Sequence, residues 1–161
     1  MPSGYRLIMA IVRILAIGTK MPHWILDGCG EYLMRFRKQF QVTIEEIPAS
    51  KCNGKREFEE HRKSLFRRIK STDILILLDP QGKQYTTEQL AEQLTVWELA
   101  GGNLVFAIGG ANGWCKPVRN RAYSIWSLSN LVFPHTLARV ILVEQLYRAD
   151  SVRQGHPYHR G

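Results

Sequence analysis

Two short, uninterrupted apolar runs constrain this chain more than any other feature. Ile74-Leu75-Ile76-Leu77-Leu78 lies between Asp73 and Asp79, and Leu104-Val105-Phe106-Ala107-Ile108 runs into Gly109-Gly110. A strand with one wet face alternates apolar and polar residues. A run without alternation belongs to a strand covered on both faces, as in a parallel sheet with helices on either side. Ile11 to Gly18 predicts a first strand of the same sheet. Val42 to Ile47 predicts a second, closed by Pro48, and Ser127 to Phe133 a last short one. Pro80-Gln81-Gly82 is expected to end the Asp73–Asp79 strand in a turn.

Helical patterns fall between these runs. Trp24, Gly28, Cys29, Tyr32, Leu33, Phe36 and Phe40 recur at helical spacing. Thr86 with Gln89 three residues on predicts a capping box, opening a helix that turns Leu90, Leu94 and Trp97 inward and stops at Gly101-Gly102. Pro117 suits the first turn of another helix, and His135 to Asp150 predicts the last. Strands alternating with helices make an α/β fold with a largely parallel sheet. No Pro/Ser-rich linker or repeat divides the 161 residues. The expectation is therefore a single domain over residues 11–161, behind a leader, residues 1–10, to which no structure is assigned. Within Leu7 to Val12 only six apolar residues precede Arg13, too few for a signal peptide or a membrane span. Three cysteines, Cys29, Cys52 and Cys115, contain no C-x-x-C pair, which fits a reducing compartment and hence a cytoplasmic protein.

Charge speaks to partners. The chain carries 22 Lys plus Arg against 14 Asp plus Glu, a formal net charge of +8. Such an excess points to a polyanion, nucleic acid before membrane. Residues 51–70 alone hold Lys51, Lys55, Arg56, Arg62, Lys63, Arg67, Arg68 and Lys70 against Glu57, Glu59 and Glu60. This segment is either a phosphate grip or a solvated helix face.

In open parallel sheets ligands bind beyond the carboxyl ends of the strands. Here those ends carry Leu78-Asp79-Pro80-Gln81-Gly82, Ile108-Gly109-Gly110-Ala111-Asn112-Gly113 and Ser127 to Pro134. Spacing alone reads first as turn chemistry. Neither the G-x-G-x-x-G fingerprint in its usual place nor a phosphate-binding G-x-x-x-x-G-K-[ST] loop is present. The tail His156-Pro157-Tyr158-His159-Arg160 concentrates groups able to stack on a base or pair with a phosphate, although a tail merely docked on the core has the same composition. His156 and His159 lack the further ligands a zinc site needs, so no metal is expected. The early part of the last helix, Leu137 to Val143, is apolar almost all round. It is either covered by a second subunit or interior to one.

Taken in order, Ala16-Ile17-Gly18-Thr19-Lys20-Met21-Pro22, Glu46-Ile47-Pro48-Ala49, Leu78-Asp79 with Gly82-Lys83, Ile108-Gly109-Gly110, Trp126-Ser127-Leu128-Ser129, Pro134-His135, Glu144-Gln145-Leu146-Tyr147-Arg148-Ala149 and the tail resemble the ribosomal RNA large-subunit methyltransferase H family (RlmH). The resemblance runs from about Ile11 to Arg160. It implies a SPOUT-class domain with a C-terminal trefoil knot. It also implies a homodimer that transfers a methyl group from S-adenosylmethionine to N3 of a pseudouridine in 23S rRNA, within the large subunit or the assembled ribosome. The cofactor positions it implies are Leu78, Gly109, Leu128, Ser129, Asn130, Leu131, Val132 and Phe133. The paired glycines are followed by Ala111 and Asn112, where the family commonly has Pro and an acidic residue.

Methyl transfer to nitrogen is an in-line displacement that needs alignment and a deprotonated acceptor. On that chemistry Arg148 and Arg160 are expected to stabilise phosphate or anion, Tyr158 to stack or position, and His159 to handle the proton or the base edge. His135, beside the cofactor segment, is read as structural. A catalytically silent RNA-binding protein would keep the basic surface and tail without holding cofactor, and an enzyme acting on small nucleotides would leave the basic excess unused.

Overall fold

The structure is a computed structural model that describes residues 10–160, with side chains described through Tyr158. Residues 1–9 of the ten-residue leader, the side chains of His159 and Arg160, and Gly161 lie outside the described residues. Among the described residues, five parallel strands form one sheet in the order β2-β1-β4-β3-β5. They are β1 (Ala10–Ile17), β2 (Phe40–Ile47), β3 (Ile74–Lys83), β4 (Leu104–Ile108) and β5 (Ser124–Trp126). The central pairings join the apolar runs, with Ile76 opposite Phe106 and Ile14 opposite Phe106 on the other side. The helices are α1 (His23–Leu33), α2 (Lys55–Arg68), α3 (Thr87–Leu99), α4 (Lys116–Arg121) and α5 (His135–Arg153).

The two-residue period of the strands divides the core in two. Val12, Ile14, Ile76 and Phe106 face a layer in which Trp97 of α3 and Leu142, Val143 and Leu146 of α5 are buried. Leu15, Leu75, Leu77 and Val105 face the opposite layer, with Leu65 of α2 and Val118 of α4. Runs without polar alternation thus sit where both faces are covered. The capping box is formed: Gln89 N donates to Thr86 Oγ1 at 3.1 Å, and Thr86 N donates to Gln89 Oε1 at 2.9 Å.

Four expectations need correction. Phe40 opens β2 rather than closing the preceding helix, because α1 ends at Leu33 and Arg37 is drawn into a two-pronged pair with Asp150 (3.0 Å on both prongs). The Pro80-Gln81-Gly82 turn is a bulge within β3. Leu78 and Lys83 both pair with Trp126, and Gln81 N donates to Asp79 Oδ1 at 2.8 Å. The strand resumes because Gly82 has no Cβ; one there would lie 2.7 Å from the Ile125 backbone. The last strand is Ser124–Trp126, and Ser127 to Phe133 is an ordered loop. Its serines supply local bonds that compete with a ladder: Ser127 Oγ donates to the Ser129 carbonyl at 2.9 Å, and Leu131 N donates to Ser129 Oγ at 3.0 Å. The last helix continues past Asp150 to Arg153, whose guanidinium pairs with Glu98 and Asp150.

Helix α5 packs against both α1 and α3, so much of its apolar surface is used inside the chain. Its N-terminal turns lie at the carboxyl edge of the sheet, where Arg139 reaches Gly18. Its last turns lie at the amino edge, where Arg153 sits over Phe40 at 5.3 Å. Among the described residues, no helix is long and apolar enough to cross a membrane.

Candidate active site

At the carboxyl edge, three chain segments converge on a cavity of about 170 Å³. Its walls are Leu78, Asp79 and Pro80 from β3, the Ile108–Gly113 turn after β4, the loop after β5, and His135 with Ala138 from α5. Leu78, Gly109, Leu128, Ser129, Leu131, Val132 and Phe133, singled out by the sequence, all line it, whereas Asn130 turns to Gln84, whose Nε2 donates to Asn130 Oδ1 at 2.7 Å. Leu131 and Val132 are 70% and 81% exposed, which leaves apolar surface at the mouth without protein cover. Such a cavity is of the scale that takes up one aromatic ring, for which about 150 Å³ suffices in an engineered protein core.

The glycine turn is held from behind. A Cβ on Gly109 would stand 3.1 Å from Trp114 Nε1 and 3.2 Å from Gly113 Cα, so a side chain there would displace the turn that forms one wall. Asn112 Nδ2 donates to Glu57 Oε2 at 3.1 Å, tying the turn to α2. Arg119 pairs with Asp79 at 2.5 Å and fixes the β3 wall.

A residue that pattern reading passed over anchors the edge. Arg139 is 2% exposed within the apolar stretch of α5. It donates from Nη1 to Glu46 Oε2 at 2.6 Å and from Nη2 to the carbonyls of Ile17 (3.2 Å) and Gly18 (2.7 Å). One guanidinium therefore ties the ends of β1 and β2 to the helix that carries His135 and Ala138. The only sequence signal was a charge inside an otherwise apolar helix face.

The other group of expected site residues lies elsewhere. Glu144 accepts from Arg148 Nε (2.9 Å) and Nη2 (2.6 Å), from Gln145 Nε2 (2.6 Å) and from Tyr158 Oη (3.2 Å). The Tyr158 ring meets Tyr147 edge-on at 4.7 Å, with the Arg148 guanidinium 5.0 Å from its centre and Arg35 at 6.0 Å. Burial, then a hydrogen bond with Tyr32 and the Glu144 charge, push the Tyr158 phenol well above its usual range, so it stays protonated at working pH. Glu144, Tyr32 and Arg35 were not read from the sequence as site residues. Arg148 lies roughly 15 Å along α5 from Ala138, at about 1.5 Å per residue, toward the opposite edge of the sheet. One chain does not bring Arg148 and Tyr158 to its own cavity.

A family described as "Predicted SPOUT methyltransferase" matches residues 9–159. A protein of Acinetobacter baumannii is 40% identical over 157 residues, spanning 92% of this chain and 98% of its own. One from Francisella philomiragia is 37% identical over 153 residues, spanning 92% and 99%. Both are called "Ribosomal RNA large subunit methyltransferase H". This chain belongs to the SPOUT methyltransferase family.

This SPOUT methyltransferase requires a methyl donor, for which the cavity is the candidate site. Its walls are largely apolar side chains, with the glycine turn and the 127–133 loop bringing backbone to the same surface, a common division of labour in small-molecule pockets. Among the described residues, no group of three or more His, Cys, Asp or Glu is placed to hold a metal ion.

Proposed function

We propose that this chain is a cytoplasmic S-adenosylmethionine-dependent methyltransferase that modifies N3 of a pseudouridine in 23S rRNA. Its substrate is the large subunit or the ribosome, and it acts as a homodimer with a knotted C-terminal segment. The observation that carries this reading is the cavity at the carboxyl edge. Leu78, Gly109 and the Leu128–Phe133 loop, drawn from three separate parts of the sequence, form one wall system in a family of methyltransferases. The names of the relatives support rRNA of the large subunit as substrate, and the resemblance supports the nucleoside, the cofactor and the knot.

When bound, the cofactor supplies an electrophilic methyl group on sulfur. Leu78, Gly109 and the Leu131, Val132 and Phe133 side of the cavity would hold the donor and orient it for in-line transfer. The acceptor needs its N3 proton removed and the resulting ring charge stabilised. Arg148 and Arg160 carry the positive charge, and His159 takes the proton. Tyr158, whose phenol stays protonated, stacks on or positions the base rather than acting as a base itself. Because Arg148 and Tyr158 sit at the far end of α5 from their own cavity, the working site pairs one copy's cavity with the tail of a second copy. Exposed Trp24 and Leu26 on α1 supply apolar surface for that contact.

Mixing two inactive variants tests this reading. Gly109→Val lacks a working cavity, and a chain truncated before Tyr158 lacks the tail. Mixed after mild dissociation, they are expected to regain part of the wild-type transfer of labelled methyl to ribosomes, since one of the two sites in a mixed dimer is intact. Calorimetry is expected to show S-adenosylmethionine binding to the truncated chain and not to Gly109→Val. Wild-type protein that binds no cofactor, or active protein with a monomer mass by light scattering, would contradict the proposal.

A further inference from the structure

A second depression adjoins the cavity. It is walled by the segment after β2, with Ser50 and Lys51, and by α2, with His61, Lys63 and Arg67. Lys51, Lys63 and Arg67 are solvent-exposed, and none of them has a carboxylate in ion-pair range among the described residues. Their neighbours differ: Arg56, Arg62 and Arg68 are paired with Glu60, Glu59 and Glu45. The one carboxylate in the wall, Glu60, faces Ser50 Oγ at 2.5 Å, Cys52 Sγ at 3.5 Å and Arg56 Nε at 3.8 Å. Three free cations therefore share a concave surface whose single acid is already engaged.

The depression is built rather than incidental. Ser50 N donates to His61 Nε2 at 2.9 Å and Cys52 N donates to Ser50 Oγ at 3.0 Å, which fixes the segment carrying Lys51. Lys63 and Arg67 stand one helical turn apart on the same face of α2. Arg67 Nε donates to the Lys63 carbonyl at 3.4 Å. His61 also separates the depression from the cavity. Its Cε1 would lie 3.8 Å from a Cβ on Gly110, a cavity residue, and it packs on Trp114 at 6.4 Å. The two concavities share a wall one imidazole thick.

We infer that Lys51, Lys63 and Arg67 bind a backbone phosphate of the RNA strand that carries the target nucleotide, close beside it. This rests on the reading of the chain as an rRNA methyltransferase. Phosphate contacts fix register without reading sequence, and a base delivered to the cavity has its flanking phosphates close by. Three free cations meeting at that wall match a phosphodiester, and the site would position the strand while the cavity and tail perform the chemistry.

The test compares a Lys51→Ala, Lys63→Ala, Arg67→Ala triple variant with Arg68→Ala, whose charge is already held by Glu45. The readout is the anisotropy of a labelled single-stranded RNA oligonucleotide across a potassium chloride series. One lost phosphate contact at about 0.7 predicts a log–log slope shallower by about 0.7 and binding about fivefold weaker at 0.1 M salt. Arg68→Ala is expected to keep the wild-type slope. Cofactor binding should be equal in all three proteins, and the triple variant should raise KM for ribosomes with kcat retained. An unchanged slope in the triple variant, an equal change in Arg68→Ala, or a loss confined to binding of phosphatidylserine vesicles would overturn the inference. A slope difference in a protein that methylates nothing would support the phosphate site while refuting the methyltransferase reading.

Discussion

Replacing Tyr158 by Phe and by Ala separates the roles open to the tail, because the two substitutions remove different parts of one contact set. The ring's edge-on contact with Tyr147 is worth about 0.5–1.5 kcal/mol, and the Arg148 guanidinium over its face about 0.5–1 kcal/mol. The phenol's bond to Glu144, at 3.2 Å, adds about 1 kcal/mol. Tyr158→Ala loses all three, about 3 kcal/mol, which for a chain of this size lowers Tm by about 6–12 °C. Tyr158→Phe keeps both ring contacts, loses only the hydrogen bonding of the phenol and lowers Tm by about 2–4 °C. Since the phenol stays protonated, it has no base role to lose. Tyr158→Phe is therefore expected to keep methylation within about fivefold of wild type with the same pH–rate profile, and Tyr158→Ala to fall by about 100-fold or more, as lost positioning allows. Melting by circular dichroism and methyl transfer to ribosomes, measured well below Tm, check both. Equal collapse in the two variants would show that the hydroxyl itself does chemistry. Full activity in Tyr158→Ala would reduce the tail to a docked strap.

Gly109→Ala should weaken S-adenosylmethionine binding by at least about tenfold, or about 1.4 kcal/mol, because its Cβ presses on Trp114 and Gly113; unchanged binding in calorimetry would place the donor elsewhere. Arg139→Met leaves the Ile17 and Gly18 carbonyls and Glu46 without their donor and should cost about 3 kcal/mol in urea unfolding, a value near zero contradicting the anchoring role. Burial holds the His61 imidazole below its ordinary pKa of 6.5, so the unfolded chain binds its proton first and the stability His61 contributes is lost as pH falls below about 6.5. His61→Gln, which keeps an acceptor for Ser50 N, should flatten the fall in Tm between pH 7 and pH 5, and an unaltered pH dependence would refute the assignment.

Much of this fold was legible because its signals are local. The runs Ile74–Leu78 and Leu104–Ile108 report burial on both faces without reference to any other residue, and Thr86 with Gln89 reports a helix start within four residues. What was missed depends on distant partners. The burial of Arg139 is understandable only beside Glu46, 93 positions away, and two β-carbonyls. The Ser127–Phe133 segment has strand-like composition but lies at the carboxyl edge, where Ser127 and Ser129 close local turns and β5 has already ended. Convergence of Leu78, Gly109 and Leu128–Phe133 could be anticipated from the rule that parallel sheets bind at their carboxyl ends. The separation of Tyr158 and Arg148 from that edge could not, because it follows from the direction in which α5 crosses the sheet. Likewise residues 51–70 read as one basic run, and only the pairing of Arg56, Arg62 and Arg68 divides them from the free Lys51, Lys63 and Arg67.

The central claim, transfer of a methyl group to one pseudouridine of 23S rRNA, is tested most directly by mass spectrometry of nucleosides. Ribosomes from cells lacking this activity would be incubated with the protein and S-adenosylmethionine, then digested. The account predicts a single pseudouridine heavier by one methylene, with the added carbon on N3, formed by wild type and absent with Gly109→Val. Ribosomes whose nucleosides are unchanged after incubation with cofactor-bound wild-type protein, or a methyl group found on any other base, would contradict it.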